Sequence, residues 1–301
     1  MSSLSPRVVI VHRASEYQTL IEQHGTRGQA SFFLSSRDQS IEKVEAVHSV
    51  LQDSITQTKS SVPSDWSIAQ VERADLDRFL FTDNDIVVAV GQDGLVANLA
   101  KYITSQPVIG VTPGSEMSEG VLTTRRPDEV SNLLDLVSSG LATLEPRTMV
   151  EARLGNGDGL VALNELFVGH RSHQSARYII RDGDNEEYQS SSGVIVSTGT
   201  GATGWAKSIM TATHQHLQLS PTERIAVYFS REPWPSQVSG CTLSSGLVRS
   251  SGGLLLTSRI NEGGVIFADG VEQDFLQFDW GQQVRIGIAA RTLNLLSSGD
   301  S

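Results

Sequence analysis

Two glycine-rich segments of this sequence each follow a predicted strand and precede a predicted helix. The first is Gly91-Gln92-Asp93-Gly94, which comes directly after the apolar run at residues 86–90. Glycines at the carboxyl end of a buried strand let a phosphate group approach the backbone, and the start of the next helix carries partial positive charge. Asp93 adds a carboxylate that can accept a proton or hold a metal. The same four residues also fit a simple turn in which Asp93 caps the helix.

The second segment, residues 199–204, reads Gly-Thr-Gly-Ala-Thr-Gly and matches the G-x-G-x-x-G pattern of dinucleotide-binding loops. That pattern needs an acidic residue about 20 residues later, and Glu232 follows the predicted strand 225–229 too late. A P-loop needs a lysine directly after its last glycine, whereas Lys207 lies two residues further on. The hydroxyl groups of Thr200 and Thr203 among the glycines favour a polar ligand over a plain turn.

Two short polar blocks lie in the second half of the chain. Asn164-Glu165 interrupts the apolar run 160–168, and polar groups buried without partners are costly. The pair matches a diol, because glutamate accepts from two hydroxyl groups and asparagine both donates and accepts. An exposed bulge or strand edge is the alternative. Ala268-Asp269-Gly270 has the composition of a hairpin turn.

Histidine pairs and one arginine are further residues that could form a site. The histidine pairs, His170 with His173 and His214 with His216, have no third ligand at a convincing spacing, so the sequence predicts no metal site. Arg231 fits either a surface ion pair or a phosphate-facing guanidinium.

The pattern of apolar and polar residues along the chain changes near residue 145. Before it, short apolar runs at 7–11, 86–90 and 107–111 alternate with helical periodicity at 14–24, 41–51, 95–103 and 127–141. We expect residues 25–40 to form a loop and residues 53–65 to be polar and mobile. After it, short apolar runs separated by Gly, Asn and Asp predict hairpins, with one strand and helix at 193–196 and 203–217. The predicted fold class is therefore α/β, with a Rossmann-like α/β domain at 1–145 and a mostly β domain at 146–301, whose last strand can return to the first domain.

Composition narrows the choice of partner. The 301 residues include 23 Lys and Arg against 34 Asp and Glu, so the formal net charge is −11. This acidity speaks against nucleic acid and anionic membranes as partners, because both reward clustered basic charge. A small phosphorylated ligand stays possible, since backbone N–H groups and a metal can hold it. The single cysteine, Cys241, excludes an internal disulfide, and with no signal peptide or membrane-length apolar run the sequence predicts a cytoplasmic protein.

Taken in order, the blocks GQDGL, NE, STGTGATGW and ADG resemble those of the NAD kinase family, which are GGDGT, NE, STPTGST-A-Y and a late DG. The resemblance spans residues 91–270, and it implies the two-domain fold of that family. Trp205 in place of the usual tyrosine, together with Arg231-Glu232-Pro233, resembles the mitochondrial-type branch more than the common bacterial one.

The resemblance implies an enzyme that transfers a phosphoryl group from ATP, with Mg²⁺, to the adenosine 2′-hydroxyl of NAD, giving NADP. Asp93 would be the general base, and Asn164 with Glu165 would hold the acceptor ribose. It also implies a homodimer or homotetramer. The remaining residues expected to bind the nucleotides are Gly91, Gln92, Gly94, Thr200, Gly201, Thr203, Gly204, Trp205, Ser208 and Asp269.

Four departures from the family pattern leave alternatives open. Gln92 replaces a glycine, Leu95 replaces a threonine, Ser192 stands where many members carry an aspartate, and residues 110–114 read Gly-Val-Thr-Pro-Gly. One alternative is a kinase of the same fold that acts on a sugar or lipid, and another is a dinucleotide-binding regulator without turnover. An NAD-dependent dehydrogenase based on the G-x-G-x-x-G pattern alone is the least favoured, because its acidic residue is misplaced.

Overall fold

The structure is a computed structural model of the chain, and it describes residues 6–114, 120–250 and 252–297. The chain divides into two compact units, Met1–Glu145 with Asn294–Ser301, and Pro146–Leu293. The first unit is α/β and the second is mostly β, so the predicted fold class is confirmed. Within the described residues, no helix is long and apolar enough to cross a membrane.

The first unit is built around a parallel sheet. Its strand order is β2-β1-β3-β4, and the end of β16 (Gln283–Leu296) pairs in parallel with β4 at Asn294 and Leu295. Strand β3 is buried along its whole length, which explains its continuous apolar sequence, since helices cover parallel sheets on their faces. The elements are β1 Arg7–His12, α1 Glu16–His24, α2 Arg27–Ser35, α3 Ile41–Ser60, β2 Ser67–Glu72, β3 Asp85–Val90, α4 Asp93–Leu99, β4 Pro107–Val111 and α5 Val130–Ser138.

Two expectations for the first unit are wrong. Residues 25–40 were expected to form a loop, but they contain α2, whose Thr26 accepts a hydrogen bond from the Gln29 N–H as its N-cap. Ala30 and Leu34 of α2 are buried against α1 and the start of α3. Residues 53–65 were expected to be mobile, but α3 continues to Ser60 and buries Ile55. In both places packing of a few apolar residues outweighs the polar composition of the segment.

The second unit contains two antiparallel sheets and one α-helix. One sheet has six strands in the order β12-β11-β10-β7-β14-β15, and in the other β16, β13, β8 and β9 pair side by side. The elements are β5 Leu144–Leu154, β6 Gly159–Ala162, β7 Glu165–His170, β8 Ala176–Asp182, β9 Asn185–Ser191, β10 Val194–Thr198, α6 Trp205–Ala212, β11 Ile225–Ser230, β12 Ser245–Arg249, β13 Leu254–Ser258, β14 Gly264–Ala268 and β15 Val271–Gln277.

Alternate residues of the six-stranded sheet face two different layers. Leu166 and Val196 belong to the main core together with Tyr178 and Leu256 of the other sheet. Residues on the opposite face, such as Val227 and Phe229, pack against Ala206 and Met210 of α6. This alternation follows from the two-residue period of a strand. The helix α6 ends at Ala212, earlier than the predicted end at residue 217.

Candidate active site

The first glycine-rich segment lies at the carboxyl end of β3 in the first unit. Gln92 is the N-cap of α4 and makes no side-chain cap, and Asp93 is the first helical residue. Asp93 Oδ1 accepts hydrogen bonds from the N–H groups of Leu122 (3.0 Å) and Thr123 (2.9 Å) and from the Thr123 hydroxyl (3.0 Å). Asp93 Oδ2 accepts one from the Val121 N–H at 2.6 Å. Asp93 therefore holds the backbone of residues 121–123 instead of capping α4.

The glycines beside Asp93 differ in how much room they have. The Gly91 N–H donates to the Val111 carbonyl at 2.9 Å, and a Cβ at Gly91 would lie 3.0 Å from a methyl carbon of Leu95. A Cβ at Gly94 would meet nothing within 4 Å. The surface at the start of α4 therefore has free space beside Gly94. Gln92, two residues earlier in the sequence, has an exposed side chain.

His12 lies at the same edge of this sheet, and sequence reasoning did not select it. It is the last residue of β1 and pairs in register with Val90, directly before Gly91. The imidazole is 8% exposed, and its Nε2 lies 2.9 Å from the Gln70 amide nitrogen. Its Nδ1 is buried and has no hydrogen-bond partner among the described residues. The sequence signal that could have identified His12 is its position directly after the predicted strand 7–11, at the end of a parallel strand where ligands bind.

In the second unit, Asp269 joins two of the blocks found in the sequence. Its Oδ1 accepts from the N–H groups of Asn164 (2.7 Å) and Glu165 (3.3 Å), and its Oδ2 accepts from the Leu163 N–H (3.1 Å). The Asp269 N–H donates to the Glu165 carbonyl at 3.0 Å. Asp269 and Gly270 adopt φ angles of 52° and 70° in the tight turn that joins β14 to β15. The predicted hairpin is confirmed, and it also orders the Asn-Glu block.

The glycine-rich loop at 199–204 packs against the same block. The Thr198 N–H donates to the Asn164 carbonyl at 2.9 Å, and the Thr198 hydroxyl donates to the Leu163 carbonyl at 2.6 Å. A Cβ at Gly201 would lie 2.2 Å from the Asn164 carbonyl oxygen. This position therefore needs glycine for the close approach. Asn164-Glu165, the glycine-rich loop and Asp269 form one cluster, which we call the acceptor cluster.

Glu165 is the carboxylate of this cluster that has no partner. It begins β7, which lies between β10 and β14, so the alternative of a strand edge is wrong. Among the described residues its carboxylate makes no hydrogen bond. Burial, together with the negative charge of Asp269, raises the pKa of Glu165 to about 7. Near neutral pH this side chain can therefore exist in either protonation state.

The two threonine hydroxyls of the loop have different surroundings. The Thr203 hydroxyl donates to the Thr200 carbonyl at 2.9 Å. Thr200 is 2% exposed, and its own hydroxyl has no partner in the described part of the chain. A buried hydroxyl without a hydrogen bond costs roughly 1–3 kcal/mol, which a polar ligand would recover. Gly204 and Ser208 are exposed, and the Ser208 N–H donates to the Gly204 carbonyl at 3.3 Å.

Trp205, directly after the loop, is part of a column of stacked groups. Its ring lies 6.1 Å from that of Phe167 with 13° between the planes, and Phe167 stacks on Phe267 at 4.7 Å. The Arg231 guanidinium carbon is 5.1 Å from the Trp205 ring centroid.

The backbone fixes the position of Arg231. Its N–H donates to the Gly193 carbonyl and its carbonyl accepts from the Ser192 N–H, both at 2.8 Å. The ion pair with Glu232 is long, at 3.7 Å, and Glu232 itself has a positive φ of 42°. A half-buried guanidinium placed on an aromatic face is suited to an anionic ligand.

One member of the first histidine pair makes its hydrogen bonds locally. His170 is occupied by its own turn, because its Nδ1 accepts from the Ser172 N–H at 3.0 Å and its Nε2 lies 3.1 Å from the Glu262 carbonyl. Within residues 6–114, 120–250 and 252–297, no group of three or more His, Cys, Asp or Glu side chains is placed to hold a metal ion.

The chain matches no protein-family model. It is 31% identical over 140 residues to the NAD kinase of Chlorobaculum tepidum, a match that covers 46% of this chain and 47% of that protein. It is 35% identical over 135 residues to the NAD kinase of Azotobacter vinelandii, over 41% of this chain and 44% of that protein. The chain thus spans about half the length of the curated relatives that it matches.

Two solved structures resemble nearly the whole chain. The NAD kinase from Archaeoglobus fulgidus in complex with ATP covers 97% of this chain and 94% of its own, with a TM-score of 0.60 and 17% identity. This chain has the fold of the NAD kinases. Yeast NADH kinase complexed with NADH agrees, with a TM-score of 0.63 and 16% identity over 99% of this chain and 84% of its own. The NAD kinase-like fold expected from the sequence blocks is confirmed.

Within this NAD kinase fold, the sequence blocks divide between the two units. The Gly91–Asp93 block and His12 lie in the first unit, at the carboxyl ends of parallel strands, where ligands bind in open α/β sheets. The acceptor cluster and the Trp205 column lie in the second unit.

Proposed function

We propose that this chain is an NAD kinase, which uses ATP to phosphorylate the adenosine 2′-hydroxyl of NAD and gives NADP. The observation that carries this proposal is the acceptor cluster, in which three separate sequence blocks bring together the Glu165 carboxylate and the buried Thr200 hydroxyl, neither of which has a hydrogen-bond partner among the described residues. The fold and the similarity to NAD kinases of two bacteria support it.

The acceptor cluster suits a ribose. An ionised Glu165 accepts hydrogen bonds from two hydroxyl groups, while the Asn164 amide can both donate and accept. The buried Thr200 hydroxyl would gain the hydrogen bond that it lacks. Arg231, held on Trp205, would face the negatively charged phosphates of the dinucleotide. Asp269 contributes by ordering the backbone of residues 163–165.

Asp93 is the proposed general base for the 2′-hydroxyl. A base needs a carboxylate oxygen within hydrogen-bond reach of the proton that it removes. Asp93 Oδ1 already accepts three hydrogen bonds, whereas Oδ2 accepts one from the described residues. Oδ2 is therefore the oxygen that would receive the proton, and the hydrogen bonds from residues 121–123 would hold the carboxylate still.

The phosphate donor would bind beside Gly91, Gln92 and Gly94. The open face at Gly94 leaves room for phosphate oxygens, and the unpartnered His12 Nδ1 at the same sheet edge is a further polar contact. Among the described residues, no group of three or more His, Cys, Asp or Glu side chains is placed to hold Mg²⁺. We therefore propose that the metal is held mainly by the ATP phosphates, whose charge it would neutralise during transfer.

The test is to incubate the pure protein with NAD, ATP and Mg²⁺ and to measure NADP with an NADP-specific dehydrogenase. We expect NADP to form, and the rate to fall about 10²-fold or more in Asp93→Asn, because an amide cannot take the proton. Asp184→Asn, which changes an exposed turn residue of the second unit, is the matched control and should keep full activity.

The outcome also separates the alternatives. Absence of NADP above the Asp93→Asn level with ATP, other triphosphates and polyphosphate would overturn the proposal. Calorimetric binding of NAD without product would then favour a regulator, and phosphorylation of sugars or lipids would favour a kinase with another acceptor.

Three finer statements are also proposals. The STGTG form with Trp205, and Arg231-Glu232-Pro233, support a place near the mitochondrial-type branch. The homodimer or homotetramer and the cytoplasmic location stay predictions of the sequence.

A further inference from the structure

The second unit contains a cavity that includes no residue of the acceptor cluster. Its volume is about 410 Å³, within the range of small-molecule sites. Three arginines line it, each from a different strand: Arg181 at the end of β8, Arg249 at the end of β12 and Arg285 in β16. We call this space the arginine cavity.

Strand register explains why the arginines gather. Leu255 of β13 pairs with Arg181 on one side and with Arg285 on the other. These three residues therefore form one row on the same face of three adjacent strands, and the two arginine Cα atoms lie roughly 10 Å apart. Arg249 approaches from the end of β12, just before the connection to β13.

The positive charge of this cavity is not balanced by its own side chains. Arg181 forms an ion pair with Glu186. Arg249 and Arg285 have no acidic partner among the described residues. Asp182 also lines the cavity, and its carboxylate, which accepts the Tyr228 hydroxyl at 3.1 Å, offsets one of the three positive charges. Neighbouring guanidinium groups repel each other, and a bound anion relieves that repulsion.

The rest of the lining leaves room for a ligand. Val248 and Leu254 also line the cavity, and both are buried in the main core of the second unit. At the rim, Gly252 has nothing within 4 Å of an added Cβ, and a Cβ at Gly253 would already lie 3.4 Å from the Arg285 side chain. The glycines keep the space beside Arg285 open.

We propose that the arginine cavity is a second ligand site, which binds a small phosphate-bearing anion. Arg249 and Arg285 donate to the phosphate oxygens, because the planar guanidinium matches the geometry of phosphate. Arg181 adds a third positive charge. The charge pattern of this site is opposite to the net charge of −11 of the whole chain.

The test is calorimetric titration of the whole protein with inorganic pyrophosphate at low salt. We expect the double variant Arg249→Gln with Arg285→Gln to lose affinity for pyrophosphate by about tenfold for each arginine removed. Arg78 is an exposed arginine of the first unit whose side chain has no partner in the described part of the chain. Arg78→Gln is therefore the matched control and should bind as the unchanged protein does. NAD binding should be the same in all of these proteins.

A second variant tests the same site without removing an arginine. Leu255→Glu places a carboxylate in the row between Arg181 and Arg285, so it should abolish pyrophosphate binding while keeping or raising the Tm. The proposal is overturned if the unchanged protein does not bind pyrophosphate saturably, or if the double variant binds it equally well. It is also overturned if Leu255→Glu binds pyrophosphate normally.

Discussion

Two carboxylates of the acceptor cluster have the same chemistry but different surroundings. Asp269 uses both oxygens to accept from backbone N–H groups of residues 163–165. Glu165 has no such donor, and its pKa is raised to about 7 by burial and by the negative charge of Asp269. Asp269 is therefore a positioning residue, whereas Glu165 is available to a ligand and sensitive to pH.

We expect the affinity for NAD to fall as the pH is lowered through about 7. Ionised Glu165 accepts from two ribose hydroxyls, and below its raised pKa the carboxylate is protonated. The stability changes in the opposite sense. Between the ordinary pKa of 4.5 and about 7 the folded protein binds more protons than the unfolded chain, so stability decreases as the pH rises through that window. Calorimetric titration with NAD across this range measures the first effect, and urea unfolding measures the second.

Glu165→Gln is the variant that decides this prediction. It should show weaker NAD binding with no pH dependence near 7, and its stability should no longer decrease between pH 4.5 and 7. Glu186→Gln, which removes an exposed carboxylate, should keep the pH profile of the unchanged protein. A pH dependence that persists in Glu165→Gln would assign it to another group.

At the scale of elements, the segment 231–243 is held to β9 at its far end. Glu187 of β9 accepts from the Thr242 N–H (3.0 Å), the Thr242 hydroxyl (2.6 Å) and the Leu243 N–H (3.0 Å). A Cβ at Gly240 would come within 1.9 Å of a Glu187 oxygen, so the close approach needs glycine. The other end of the segment carries Arg231, which is the residue stacked on Trp205.

Glu187→Gln should loosen this segment. Burial opposes the ionisation of Glu187, but hydrogen bonds from Thr242, Gln189 and Leu243 together outweigh it and lower its pKa to about 2. An amide offers one acceptor oxygen instead of two, so we expect faster hydrogen exchange at the N–H groups of Thr242 and Leu243. In the unchanged protein the stabilisation should be present above the ordinary pKa of 4.5 and be lost as the pH falls toward 2.

The neighbouring residue provides the control for this experiment. Glu186 pairs with the Arg181 side chain, so Glu186→Gln should leave exchange at Thr242 and Leu243 unchanged. Equal exchange rates in Glu187→Gln and the unchanged protein would mean that backbone contacts alone hold the segment, such as the Gly240 N–H to the Tyr188 carbonyl at 3.0 Å.

At the scale of the whole molecule, each unit has its own apolar core and the surface charge is unevenly placed. Val88 and Leu134 belong to the core of the first unit, and Tyr178 and Ile266 to that of the second. The net charge is −11, yet three arginines meet at the arginine cavity. Physiological salt screens both over about 8 Å, so a small ligand at the arginine cavity interacts mainly with the nearby arginines and little with the distant acidic surface.

We therefore expect no saturable binding of a short DNA duplex at physiological salt, measured by fluorescence anisotropy. Affinity for duplex DNA depends on many simultaneous contacts between basic side chains and phosphates, and an acidic chain repels the rest of the duplex. Histone-like basic protein under the same conditions serves as the positive control. Binding that weakens steeply with added salt would contradict this expectation.

Much of the fold was predictable because it depends on local patterns. The continuous apolar run of β3, the alternation of strands with helices before residue 145, and the Asp-Gly turn at 269–270 are all set by neighbours in the sequence. The segment 27–35 was not predictable in this way. Its polar composition is typical of a loop, and α2 is stabilised by burial of Ala30 and Leu34 against other helices.

The sequence by itself determined which residue types stand at strand ends and in turns, and the order of the blocks that resemble NAD kinases. Only the tertiary structure decided their partners. Asp269 meets Leu163 across 106 positions of sequence, Asp93 holds residues 121–123, and Arg249 lines the same cavity as Arg285. The physical reason is that strand order and register bring distant residues into contact, and periodicity within one segment carries no information about which strand lies next to it.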